Sequence, residues 1–466
     1  MRFYQLLGPL LLTILSCSTT SQPTNKTESK PNIVVILTDD QQFDAAAFNG
    51  NEVILTPGID QLAGQSRRFT QANVAFALCS PSRAALLTGR YGSANGVLEL
   101  NSRLHAGEKT IAQYLKAAGY ATGMSGKWHL PTPPGQLGFD FHNYFYSNGT
   151  YYGREIFDMG DTLRPEIHCD AYCADRSVDF IREQAGREQP FFLFHCTQTP
   201  HMDHRHTWPA QDTTKAKYRA EAMPVPANRL DDLSGKPEYL RSVRNRTQAQ
   251  KYGYPDPAAI QAHTLDYYAV ITEMDGFIER VLRELDAQGI ADNTYVFFLS
   301  DNGWMLGDHG FTSKVLPYRP SSKVPFLVRG PGIAADTSAA LVSNLDVLPT
   351  ILELVGTEVP ANLHGKSLLP LLRGAQQEVR PAIVYEGLGG YGGAQPNLTI
   401  ITDEFRYIVT YKDAALEEVD FRELYHQRDD FWEMNNLADQ PEYGETLREL
   451  ELYIDRHQQN ILQEKS

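Results

Sequence analysis

The chain has 466 residues, enough for one large α/β domain with an added subdomain, or for two to three ordinary domains. A hydrophobic content of 42% and a charged content of 21% are those of a globular protein with a substantial core. Its formal net charge of −15 gains nothing from counterion release on a polyanion. That argues against nucleic acid as a partner, but leaves room for a local basic pocket around an anionic substrate.

The first element is a targeting segment. Arg2 precedes LLGPLLLTILSC, an apolar run too short to span a membrane comfortably and ending in small residues. Residues 1–16 read as a signal peptide. The run ILSC, Ile14 to Cys17, resembles a bacterial lipobox, which would make Cys17 a lipidated membrane anchor; a plain cleaved signal is the competing reading. Residues 17–31, polar and poor in hydrophobics, suit a flexible tether. Either reading exports the chain, to the periplasm or as an outer-membrane lipoprotein of a Gram-negative bacterium. Export makes Cys79, Cys169, Cys173 and Cys196 worth counting, but four are too few for a disulfide scaffold. HCDAYC, His168 to Cys173, matches no standard zinc spacing and reads as a helical pair, free or disulfide-linked.

PNIVVILTDDQ begins with a β-branched apolar run and breaks into Asp39 and Asp40, the pattern of a strand buried on both faces of a parallel sheet. The pattern recurs. YATGMSGKWH ends in Lys127 and His129, PFFLFHCTQTPH near His201, and NTYVFFLSDNG in Asp301 and Asn302. SSKVPFLVRGPG supplies a further strand and a Gly-Pro turn. Helical spacing predicts helices over 110–118, 174–183 and about 260–286. Residues 203–256 are charged, Pro-rich and weakly periodic, and read as a long surface excursion around a pocket. After about residue 375, IVYEG, LTIITD and FRYIVTY predict short antiparallel strands, and a final helix is expected over 443–459. The expectation is an α/β domain, 32–375, with a large, mostly parallel sheet flanked by helices. A smaller α+β subdomain with an antiparallel sheet, 376–466, follows. Open sheets of this kind carry their sites beyond the carboxyl ends of the strands, and four such ends here carry ionisable side chains.

Asp39, Asp40, Asp301 and Asn302 are hard oxygen donors, suited to Ca²⁺ or Mg²⁺ rather than zinc. Either pair alone would read as an Asx turn or a helix cap. In CSPSRAALLTGR, Pro81 suits a first helical turn, Ser80 can cap it, and Gly89 ends the helix. Cys79 then sits at a helix start that favours an anion, with Arg83 as an added cation. By position alone, a lone cysteine there is a small buried hydrophobe.

CSPSRAALLTGR resembles the signature of type I sulfatases, whose cysteine is oxidised to Cα-formylglycine. TPGIDQLA before it and GKWH, TPH and SDNG after it stand in the expected order, and ELYHQRDDFWEMNNLA resembles a divergent form of the family's C-terminal motif. The resemblance implies an alkaline-phosphatase-like fold and a sulfuric ester hydrolase. It makes Asp39, Asp40, Asp301 and Asn302 ligands of one Ca²⁺, completed by formylglycine at Cys79. One hydroxyl of the hydrated aldehyde would attack sulfur; loss of a proton from the other would release sulfate. Arg83 would hold the hydrate, Lys127 and Lys314 would clamp the sulfate, His129 would act as base and His201 as proton donor. It also implies a maturation partner, a formylglycine-generating or an anaerobic sulfatase-maturating enzyme. His309 reads as structural.

Substrate choice lies in the variable segments. Candidate sugar contacts are His204, His206 and Trp208 after His201, Trp304 beside SDNG, and Tyr318 and Arg319 after Lys314. The expected substrate is a sulfated carbohydrate, attacked by exo action, such as a fragment of ulvan, carrageenan or a glycosaminoglycan. Two other readings stay open: a phosphate mono- or diester hydrolase of the same superfamily, and a catalytically silent glycan-binding lipoprotein.

Overall fold

The computed structural model describes Met1 and residues 30–465. The leader, the lipidation of Cys17 and most of the tether therefore lie outside the described residues.

A ten-stranded sheet is built from β1 (Asn32–Asp39), β2 (Arg67–Asn73), β3 (Ala121–Lys127), β4 (Phe141–Phe145), β5 (Ile156–Asp158), β6 (Asp161–Leu163), β7 (Phe191–Pro200) and β8 (Thr294–Ser300). After a two-stranded ribbon of β9 (Met305–Leu306) and β10 (Thr312–Ser313), β11 (Phe326–Arg329) and β12 (Asp336–Ser343) complete it. The order is β12-β2-β11-β8-β1-β7-β3-β4-β5-β6. The four strands whose ends carry the ionisable residues, β8, β1, β7 and β3, are contiguous and mutually parallel. The expected further strand, β11, runs antiparallel to both neighbours, as do the edge pairs β4/β5 and β5/β6. The sheet is thus mixed, with a parallel centre.

The unbroken apolar runs follow from burial on both faces. In β1, Ile33, Val35 and Leu37 enter one core while Val34 and Ile36 enter the other. Phe297 and Leu299 of β8 likewise oppose Val296 and Phe298. One face is covered by the helix Pro257–Ala287, which buries Tyr267, Ile271, Met274, Ile278 and Leu285 at helical spacing. Asp256 caps its start by accepting from Ala258 N. The helix Cys169–Ala185 lies beside it and starts five residues earlier than its apolar periodicity indicates, because His168 caps it. Cys169 and Cys173 stand one turn apart on this helix, and both are buried free thiols, as are Cys79 and Cys196.

Residues 203–256 are not merely a surface excursion. They form short helices, including Asp212–Lys215 and Arg244–Lys251, and bury Trp208, Tyr218, Met223, Leu233 and Tyr254 in the two cores. Their anchors are spaced irregularly, so the segment has no single period to read. The C-terminal strands are β13 (Ile383–Gly387), β14 (Asn397–Ile401), β15 (Phe405–Tyr411) and β16 (Val419–His426), paired antiparallel in sequence order. One face of this small sheet joins the main core through Ile383, Tyr385, Ile408 and Tyr425. The other is covered by the helix Gly444–Lys465 through Leu450, Ile454 and Ile461.

One glycine is fixed by strand packing beside the site. Gly126 precedes Lys127 with φ of 111°, and a Cβ there would sit 1.7 Å from the carbonyl oxygen of Cys196 on β7. The Gly126→Ala protein is expected to lose about 3 kcal/mol of stability or more, read as a lower denaturation midpoint. An unchanged midpoint would show that β3 and β7 can separate at this point.

Candidate active site

The site sits at the carboxyl ends of the four central strands. Thr38 of β1 is in register with Ser300 of β8, so the two acidic pairs that follow are neighbours. Asp301 N donates to Thr38 O at 2.9 Å, and Asp40 N donates to Asp301 Oδ1 at 3.2 Å. Asn302 Nδ2 donates to Asp40 Oδ1 at 2.6 Å. All four side chains are buried.

Cys79 is the first residue of the helix Cys79–Thr88, which ends on Gly89 at φ of 65°. Its Sγ lies 3.4 Å from Asp39 Oδ1, 2.6 Å from Lys314 Nζ and 3.8 Å from Lys127 Nζ. Ser80 does not cap this helix. Its hydroxyl donates instead to His129 O at 2.6 Å, with Leu100 O 3.0 Å away as the alternative acceptor, so it ties the helix start to the strand end that carries His129. Arg83, one turn on and fully buried, donates from Nε to Asp301 Oδ2 at 2.9 Å and from Nη1 to Lys127 O at 2.7 Å. Lys127 pairs with Asp39, and Lys314 with Asp40.

Ligand atoms of Asp39, Asp40, Cys79 and Asp301 lie within 4.8 Å of one another. Two oxygens in this cluster, Asp40 Oδ2 and Asn302 Oδ1, are buried without a hydrogen-bond partner. Burial pushes Asp40 up to about 6, against the pull of Lys314, and pushes Asp301 up to about 7, with Asp39 adding and Arg83 opposing. Asp39 is also raised by burial, but the Lys127, Lys314 and Arg83 cations together hold it well below the usual carboxylate range. Burial thus disfavours the charged form of two of the three carboxylates, although each of the three faces a cation. Hard oxygen donors, two of them buried and unsatisfied, fit a divalent cation of the calcium class. Burial pushes the Cys79 thiol up to about 12, with Asp39 adding and Lys127 and Lys314 opposing.

Burial holds both histidines well below the ordinary range, with Lys127 adding to each, so both are neutral. His129 has a positive φ of 59° and a buried Nδ1 with no partner. His201 Nδ1 lies 2.7 Å from Met202 O. A carbonyl only accepts, so Nδ1 carries the proton, and Nε2 faces Asp40 Oδ2 at 3.5 Å. The end of β7 is held by Asp170, whose oxygens accept from Gln198 N, Thr199 N and Thr199 Oγ1 at 2.6–2.9 Å. His168 Nδ1 in turn accepts from Asp170 N at the start of the helix Cys169–Ala185.

The ten polar residues expected from the motifs thus converge. The expected sugar contacts do not converge as a group. Tyr318 is 1% exposed, donates its hydroxyl to Glu423 at 2.9 Å and carries Lys236 Nζ 4.2 Å from its ring centroid; it belongs to the core. Trp208 is also interior, with Nε1 donating to Pro200 O at 2.6 Å. Arg319 is engaged by Asp44 at 2.9 Å and stacks 3.9 Å from the Phe431 centroid. Trp304 is buried but walls the site, its ring 6.0 Å from that of His201 and 5.9 Å from Lys314 Nζ. His204 and His206 are exposed, and His206 shares a narrow cleft with Trp304 and Lys314. His309 is structural as expected, buried with Nδ1 2.6 Å from Asp231 Oδ2. The same cleft is lined by Arg244, Gln248 and Tyr391, which the sequence reading missed; no motif marks them.

A buried cluster of carboxylates and cations at the strand ends of a parallel-centred sheet is the place and the chemistry of an α/β enzyme's active site. The sulfatase family model matches residues 31–357, and a model described as N-sulphoglucosamine sulphohydrolase, C-terminal, matches 307–460. An N-acetylglucosamine-6-O-sulfatase of Bacteroides thetaiotaomicron is 27% identical over 95% of this chain and 88% of its own. An ulvan-active sulfatase of Formosa agariphila is 28% identical over 95% of this chain and 84% of its own. A solved structure in complex with its substrate, D-glucosamine-2-N,6-O-disulfate, superposes with a TM-score of 0.84 and 26% identity, over 93% of this chain and 98% of that one. The chain belongs to the sulfatase family, of the alkaline-phosphatase-like superfamily, and is a sulfatase enzyme.

Proposed function

We propose that this sulfatase removes sulfate from a sulfated carbohydrate, with residue 79 matured to formylglycine and one Ca²⁺ held by Asp39, Asp40, Asp301 and Asn302. The observation that carries the reading is the position of Cys79 Sγ, which stands where the oxygens of a formylglycine hydrate would be. It is enclosed by the carboxylate cluster and touched by Lys314. When present, the hydrate supplies an oxygen nucleophile for sulfur, and Ca²⁺ supplies positive charge for the sulfate oxygens.

The chain's own residues supply the rest. Lys127 and Lys314 approach residue 79 from two sides and hold a bound sulfate in place while its charge shifts. Arg83, spent on Asp301 and on the Lys127 carbonyl, positions the ligand and the strand end rather than reaching the substrate directly. His129, tied to residue 80 through its carbonyl, is the base beside residue 79. His201 presents an unprotonated Nε2, so it must first take a proton before giving one to the leaving oxygen. Lys314, on the same wall, is the other donor available.

The carbohydrate class is supported by the relatives' names and by the bound glucosamine disulfate of the similar structure. Export with a lipidated Cys17, and maturation by a formylglycine-generating or anaerobic maturating enzyme, belong to the same reading. The test is release of inorganic sulfate from a panel of sulfated oligosaccharides, beside phosphate release from matched phosphate esters. Sulfate release from at least one glycan, at least a hundredfold faster than phosphate release, is expected. Activity on aryl sulfates alone, or faster phosphate release, would overturn the reading.

A further inference from the structure

The cleft that leads to Lys314 is lined on its outer side by residues from two segments distant in sequence. Arg244 opens the helix Arg244–Lys251, and the next residue fixes that helix against the site: Asn245 Nδ2 donates to Thr312 O and to Lys314 O, both at 2.8 Å. From the C-terminal subdomain, Tyr391 accepts a hydrogen bond from Arg244 Nη1 at 2.7 Å. Gly392, at φ of 70°, lets the arginine stem lie close, since a Cβ there would be 3.3 Å from Arg244 Cβ. Arg244 is exposed, and its hydrogen bond to Tyr391 tethers one end of the guanidinium. Among the described residues it has no carboxylate partner, whereas Arg182, Arg280 and Arg319 are each engaged by one. Tyr391 takes one of its five donors, so a planar fork remains for an oxyanion. A chain of net charge −15 repels an anionic substrate at long range, and a fixed cation in the cleft offsets this locally.

We infer that Arg244, oriented by Tyr391, binds a second anionic group, a sulfate or a carboxylate, on the sugar whose sulfate ester is cleaved. The substrate class is then a sulfated sugar with at least two negative charges, one in the buried site and one at the outer side of the cleft. The inference rests on the glycan reading above. Lys cannot replace the fork fully, because its ammonium is a single point of charge.

Calorimetric titration of the Cys79→Ala protein with Ca²⁺ present tests it without turnover. The probes are paired sugars: a monosulfated sugar and its counterpart with a second sulfate, and a monosulfated disaccharide with and without a uronate carboxylate. The doubly charged member of one pair is expected to bind about tenfold tighter. The Arg244→Ala change in the same background should remove that preference and leave the monosulfated member within twofold. Arg244→Lys should restore part of it. The pair that shows the gain tells sulfate from carboxylate. Equal binding of both members, a preference that survives Arg244→Ala, or equal weakening of both members overturns the inference alone. No binding of any sugar overturns the glycan reading with it.

Discussion

Replacing Cys79 with alanine is expected to abolish sulfate release, by on the order of 10⁴-fold or more, while the melting temperature stays within a few degrees of the parent. Residue 79 is buried at the start of its helix, and its one heteroatom touches Asp39, Lys127 and Lys314. The helix itself does not need the thiol: it is held by Ser80 to His129, by Arg83 to Asp301 and by its Gly89 cap. Alanine at residue 79 cannot be matured, so the change removes the reacting group and leaves the scaffold. The paired measurement is mass spectrometry of the residue 79 peptide from a host that holds a maturation enzyme, where loss of the thiol and gain of an aldehyde is expected. Turnover retained in the alanine variant, or an active enzyme whose peptide keeps its thiol, would remove residue 79 from the chemistry.

The floor of the candidate site could be read from sequence because strand ends are a local signal. A run such as IVVIL or YVFFL buried on both faces must stop where polar residues begin, and in a parallel sheet those stops lie on one edge. Four stops with Asp, Lys, His and Asn therefore mark one site. The mixed direction of the sheet was not legible, since FLVR has the same apolar pattern whether it runs with β8 or against it. Ser80 has the chemistry of a helix cap, but tertiary partners at His129 and Leu100 took its hydroxyl. Tyr318 is not a surface contact, for a related reason. Proximity in sequence to Lys314 suggested Tyr318, yet the chain turns inward there and buries the ring under Lys236. Arg244 and Tyr391 meet across 147 residues of separation. Such a pair exists only in the folded chain, and neither residue belongs to a periodic segment that would place it.

Chelating the divalent cation is expected to reduce turnover by about 10³-fold or more and to lower the melting temperature by a few degrees, both restored by Ca²⁺. The ground is the charge balance of the floor. Asp39, Asp40 and Asp301 face Arg83, Lys127 and Lys314, so the six charges cancel, and a cluster that cancels has no net attraction for a sulfate ester. A dication makes the same floor net positive. It also satisfies Asp40 Oδ2 and Asn302 Oδ1, which no protein group reaches with a hydrogen bond. Binding to the folded chain alone adds RT ln(1 + [L]/Kd), about 2.7 kcal/mol at a hundredfold excess over Kd. At a few degrees or less per kcal/mol for a chain of this size, that is readable by calorimetry. Asp40→Ala is the matched control, because it removes an unsatisfied ligand oxygen and the partner of Lys314 together. Its melting temperature should not respond to Ca²⁺. Equal responses of Asp40→Ala and the parent would place the ion elsewhere, and full activity in chelator would show that the three cations of the floor suffice to hold the sulfate.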